Sequence, residues 1–139
     1  MSKTTLCLGL SAVVIVASAV AGRQDLSSPV EAGAFVGALE TCAASKMRAP
    51  HPLMASFVVD HTILGEENGA CGYTQTMPGK MTMVCALTPS GRKLLAADMK
   101  VMTSGGAVRG GTSQSQPGWF KECQIELPNG NRVPAGQTK

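Results

Sequence analysis

The 139-residue sequence is poor in aromatic side chains and in charge, with three Phe, one Tyr, one Trp and only 15% Asp, Glu, Lys and Arg. So few rings offer little for base stacking. The basic residues, among them Arg48, Lys80, Arg92, Lys93, Arg109 and Arg132, are scattered, with no run that tracks a phosphate backbone. Nucleic acid is not an expected partner. Beyond Ala21 no apolar run is long enough to cross a bilayer, so no stable span is expected there. The C-x-x-C redox spacing, the G-x-S-x-G elbow, the H-E-x-x-H zinc pair and the G-x-x-x-x-G-K-[ST] phosphate loop are all missing. Asp60 adjoins His61, but strand neighbours point to opposite faces and cannot form a direct acid/base pair. Glu66, Glu67 and Asn68 lack the alternating oxygen ligands of a calcium loop and read as a solvated turn. No internal repeat is present, and the expectation is a protein that is not an enzyme.

What the sequence does have is a distinctive start. Lys3 precedes an almost unbroken apolar run from Leu6 to Val20, and Ala19-Val20-Ala21 fits the small-x-small site of a signal peptidase. The alternative is an uncleaved membrane anchor. Against it, the run of about 15 apolar residues falls short of the roughly 20 a span needs, and Ser11 and Ser18 weaken it further. A cut after Ala21 discards Lys3 and Cys7. It leaves 118 residues with 11 basic against 9 acidic side chains and an even cysteine set, Cys42, Cys71, Cys85 and Cys123. These features predict a signal peptide over 1–21 and one exported domain over 22–139, periplasmic or secreted and stabilised by disulfides.

Ser28, Pro29 and Glu31 form the S-x-x-E start of a helix, with Val30, Ala34, Ala38 and Cys42 on an apolar stripe and Phe35 and Leu39 beside it. Lys46 and Arg48 follow near its end, and Pro50-His51-Pro52 cannot continue it. Alternation then predicts a strand over Leu53–Leu64, its odd face the more buried, and a hairpin through Asn68-Gly69 into a second strand over Ala70–Thr76. Met77-Pro78-Gly79-Lys80 reads as a type II turn into a third strand over Met81–Thr88. Closing this hairpin around Pro78 sets Cys71 opposite Cys85, Tyr73 opposite Met83 and Gln75 opposite Met81, at a spacing a disulfide can bridge. The favoured pairs are thus Cys71 with Cys85 and Cys42 with Cys123, among three connectivities that four cysteines allow.

Thr88-Pro89 opens a second helix with Leu94, Leu95, Met99 and Met102 on one stripe, ended by Gly105-Gly106. Residues 104–118, rich in Gly, Ser and Gln, read as a mobile loop. Trp119–Leu127 completes the elements as a strand, and Asn129-Gly130 turns it into a polar tail. The order α-β-β-β-α-β predicts an α+β fold, a small antiparallel sheet of three to five strands with one or two helices on one face.

Three groups of residues carry candidate chemistry. His51, preorganised between prolines, Arg109 in the Gly/Ser loop and Trp119 are candidates for reading a partner. Met77, Met81 and Met83 around one turn, with His61 near, offer the soft thioether and imidazole ligands that suit Cu(I), although alternating Met is also ordinary core filling. His61 itself, between Val59 and Ile63, reads first as a satisfied core histidine. Together these favour a non-enzymatic exported domain, inhibitor-like in size and cysteine content, that binds a protein or envelope component without a cofactor. The alternative is a periplasmic Cu(I) carrier using the Met-rich hairpin turn.

Overall fold

The computed structural model describes residues 26–104 and 117–136. The expected signal peptide, Arg109 and all of the expected loop except Ser104, Pro117 and Gly118 lie outside the described residues.

Helix α1 (Pro29–Thr41) starts at the capping box: Ser28 Oγ accepts from the Glu31 amide, and the Glu31 carboxylate accepts from Ser28 N at 2.6 Å. Both amides would otherwise be orphaned at the helix start. Its buried face is Ala32, Phe35, Val36 and Leu39. Val30 is 81% exposed, which corrects the stripe of every fourth residue. At 3.6 residues per turn a strict spacing of four drifts around the helix, so Val30 and Ala34 rotate to solvent while the i, i+3, i+4, i+7 set stays inward. Cys42 is buried for another reason. It is the left-handed C-cap, φ 58°, that turns the chain back toward the sheet.

From Cys42 the chain enters strand β1 (Ser45–Pro50), so Lys46 and Arg48 belong to a strand and not to a helix end. Strands β2 (Val58–Glu67), β3 (Ala70–Met77) and β4 (Met81–Leu87) follow, then helix α2 (Pro89–Thr103) and strands β5 (Cys123–Glu126) and β6 (Arg132–Pro134). All six form one antiparallel sheet in sequence order. Among the described residues the fold is α+β with two helices, and the sheet has six strands instead of the expected three to five, because β1 and β6 add to it segments expected as a helix end and a tail. The strand expected to begin at Leu53 begins at Val58. Leu53 is 89% exposed, in a connection that closes on the hydrogen bond from His51 N to Phe57 O. Trp119–Glu122 belongs to a short 3-10 helix, Gly118–Glu122, that delivers the chain into β5.

The β2–β3 hairpin turns at Asn68 and Gly69, both with positive φ, as Asn-Gly predicts. The β3–β4 hairpin differs from expectation. Gly79 and Lys80 both take positive φ, so Pro78-Gly79-Lys80 forms a three-residue loop centred on Gly79, with Met77 opposite Met81. That moves the register by two residues, which keeps every side chain on its face but changes its partner. Cys71 meets Leu87, Tyr73 meets Cys85 and Gln75 meets Met83. The favoured disulfides are therefore replaced. Cys85 lies opposite Cys123 and bonds to it across β4 and β5, while Cys71 bonds to Cys42 at the end of α1, with Cα atoms 5.7 Å apart.

Inward side chains of the sheet and the buried faces of α1 and α2 make one core that contains all four cystine sulfurs. On α2 the inward residues are Gly91, Leu95, Ala96 and Met99. Leu94 is 46% exposed and leaves the expected stripe, and Met102 is half-buried. The start of α2 is held from a distance. Glu122 accepts hydrogen bonds from the Thr88 amide and hydroxyl, both at 2.7 Å, while Thr88 Oγ1 accepts from Gly91 N. Glu122 thus does for α2 what Glu31 does for α1, and a Cβ at Gly91 would collide with its carboxylate. Glu122→Ala is expected to cost about 1–2 kcal/mol. Gly91→Ala is also expected to destabilise, although Ala favours a helix interior by about 1 kcal/mol. Urea midpoints test both, and a stabilised Gly91→Ala protein would refute the arrangement.

Candidate functional site

The inward face of the sheet carries one cross-strand row, Met47 on β1, His61 on β2, Gln75 on β3, Met83 on β4 and Ile125 on β5. Four members of this row, all but Ile125, face a cavity of about 870 Å³ that is partly open to solvent. Val59 adds to its floor, Pro29 and Ala32 bound it from α1, and Leu95, Asp98, Met99, Met102 and Thr103 bound it from α2. Its other walls include Arg48 and Ala49 of β1, His51 and its neighbouring prolines, and Pro117, Trp119 and Phe120. Most of these side chains are aliphatic, thioether or aromatic. The volume falls within the range of small-molecule sites, roughly 300–1,000 Å³.

Among the described residues His61 is the one polar residue in the buried core, at 5% exposure. Its Nδ1 lies 2.7 Å from the Tyr73 hydroxyl, which donates to Gln75 Oε1 at 3.1 Å. A phenol has one proton, and it is donated to Gln75 Oε1, so Nδ1 must donate to the phenol oxygen and the imidazole lone pair resides on Nε2. Nε2 has no hydrogen-bond partner among the described residues and is not sealed off, since His61 lines the cavity. Burial lowers the His61 pKa to about 4, against a smaller opposing effect of Asp60, and the same burial raises that of Tyr73. The ring is therefore neutral at physiological pH.

The two charged side chains on the cavity wall are already engaged. Arg48 Nε donates to Asp60 at 2.8 Å, and Asp98 accepts from Trp119 Nε1 at 2.7 Å. Asp60, with its carboxylate held by Arg48, is not a hydrogen-bond partner of His61 among the described residues. Trp119, 6% exposed, fastens the short 3-10 helix to α2 while its ring forms cavity wall.

Of the residues singled out from the sequence, His51 and Trp119 come together on this cavity, and Arg109 lies outside the described residues. His51 is half-buried, its Nδ1 accepting from Leu53 N at 3.2 Å and its ring edge-on to Phe57. Met83 and His61 also line the cavity, whereas Met77 and Met81 face each other at the far end of their hairpin and do not. Met47, Gln75, Asp98 and Met99 were missed. Ser45–Pro50 has too short an alternation to place Met47 on a strand, and nothing in the sequence brings Met99 of α2 to the same cavity as Met83 of β4. Among the described residues no group of three or more His, Cys, Asp and Glu is arranged for a metal ion, and no helix is long and apolar enough to cross a membrane. Comparisons with protein-family models, with curated proteins and with solved structures find no match to this chain.

Proposed function

We propose that this is an exported, non-enzymatic binding domain whose site is the cavity between the inward sheet face and the helices. The observation that carries the reading is the lining: about 870 Å³ bounded mainly by aliphatic and thioether side chains around one neutral imidazole. Unbranched, polarisable Met47, Met83, Met99 and Met102 adapt to ligands of varied shape, as flexible methionine surfaces do. An apolar envelope component is the ligand class that such walls accept. Two disulfides support export to an oxidising compartment, with cleavage after Ala21.

The test uses N-phenyl-1-naphthylamine, a neutral probe that fluoresces on entering apolar surroundings. One saturable site per oxidised protein is expected, and Ala49→Trp, which places an indole in the cavity wall, is expected to remove it while the far-UV dichroism stays native. Absence of a saturable site, or binding untouched by Ala49→Trp, would count against the cavity. A second reading, Cu(I) binding, keeps one specific observation in its favour, the four methionines that share the cavity with His61. Titration with Cu(I) against a competing chelator separates the two. A stoichiometric complex lost in Met47→Leu with Met83→Leu would favour copper over the apolar ligand.

A further inference from the structure

We infer that the ligand of this cavity is a neutral, largely aliphatic molecule bearing one hydroxyl group, held by a hydrogen bond from that hydroxyl to His61 Nε2. The inference rests on the binding reading above and names the chemistry that the site selects. Three observations lead to it. His61 is buried to 5% exposure, yet only its Nδ1 side is satisfied, by Tyr73 and through it Gln75. Its other nitrogen presents a lone pair to apolar walls, so it accepts and does not donate. A ligand that displaces water from this nitrogen without offering a donor leaves the acceptor unpaired, which costs free energy, whereas a ligand donor replaces the water.

The charged side chains of the described wall offer an acid head group no anchor. Among the described residues the charged side chains of the wall are Arg48 and Asp98, already bonded to Asp60 and to Trp119, so neither is a free cation for an acid. A carboxylate would set oxygen lone pairs against the Nε2 lone pair and carry an uncompensated charge into an apolar space. A hydrocarbon or ether would fill the walls equally well but leave Nε2 unpaired. A hydroxyl, a small neutral donor, satisfies both, and the volume admits a chain of drug-sized bulk behind it.

Displacement of N-phenyl-1-naphthylamine near neutral pH by 1-dodecanol, dodecyl methyl ether and dodecanoate reads the selectivity directly. Dodecanol is expected to displace the probe about tenfold more effectively than either competitor, the worth of roughly one buried hydrogen bond. In His61→Leu the alcohol should lose that advantage while the ether is unchanged. Tyr73→Phe keeps the imidazole but removes the group that fixes its tautomer, and the advantage should shrink. A readout on the unmodified protein guards against unfolding of either variant: dodecanol, but not the ether, should shift the imidazole 15N resonance of Nε2. If the probe never binds, the binding reading itself fails. If the probe binds but alcohol and ether compete equally, if dodecanoate wins, or if the 15N resonance does not move, the cavity stands and the hydroxyl assignment is overturned.

Discussion

Replacing Cys42 and Cys123 together by serine is expected to unfold the domain at room temperature, whereas replacing Cys42 with Cys71, or Cys85 with Cys123, should leave it folded but weakened. The difference follows from the pairing. Bridges Cys42–Cys71 and Cys85–Cys123 close loops with sequence separations of 29 and 38 residues. In the chain-entropy treatment loops of that size contribute about 4 kcal/mol each. The two loops neither overlap nor nest, so their contributions add to about 8 kcal/mol, on the order of the whole stability of a domain this size. The crossed variant takes one cysteine from each bridge, loses both, and leaves Cys71 and Cys85 as buried thiols on β3 and β4. They do not face each other, since Cys71 lies opposite Leu87 and Cys85 opposite Tyr73. Urea midpoints and alkylation mass shifts measure the outcome. A crossed variant as stable as either matched pair would mean that Cys42 bonds to Cys123 after all.

That experiment also marks where the sequence stops being informative. The faces were legible: Val59, His61 and Ile63 on one side of β2 and Met83, Cys85 and Leu87 on one side of β4 are buried, as their alternation requires. The Ser28–Glu31 box, the Thr88 cap and the Asn68-Gly69 turn are local chemistry and were readable for that reason. Register was not. A hairpin loop of three residues centred on Gly79 depends on Lys80 adopting positive φ, for which a lysine gives no local signal, and it changes every cross-strand partner without moving any residue to the other face. Both disulfides turned on that slip. Ser45–Pro50 escaped notice because Met47 is its one fully buried side chain, and Arg132–Pro134 because three exposed residues show no alternation.

The candidate site was readable only in pieces. His61, Met83, Trp119 and His51 were each singled out, for different reasons, and the sheet register and the approach of α2 bring them to one cavity. Neither is a property of a short stretch of sequence. Gln75 gains its importance only from standing between His61 and Met83 in a cross-strand row, where it accepts the hydrogen bond of the Tyr73 hydroxyl and so leaves the histidine lone pair on Nε2.

Stability is expected to fall by about 3 kcal/mol between pH 6.5 and pH 4 because of His61 alone. Burial depresses its pKa from 6.5 to about 4 in the folded protein. Above the unfolded pKa the ring is neutral in both states and its contribution is fully present. As pH drops below 6.5 the unfolded chain takes up a proton that the native ring refuses, so unfolding is favoured progressively until the folded pKa is reached. A depression of about 2.5 pH units at 1.36 kcal/mol each sets the size. Glu31 acts in the same direction but in a different window. Its carboxyl is held below 4.5 by its hydrogen bonds to the Ser28 backbone and hydroxyl, so its contribution disappears only as pH falls further. The interval from pH 6.5 to 4.5 therefore separates His61 from Glu31. Urea midpoints across it should decline in the wild-type protein and stay nearly flat in His61→Leu. Equal slopes in the two proteins would show that His61 is protonated as readily folded as unfolded, and with that the neutral acceptor at the floor of the cavity would be lost.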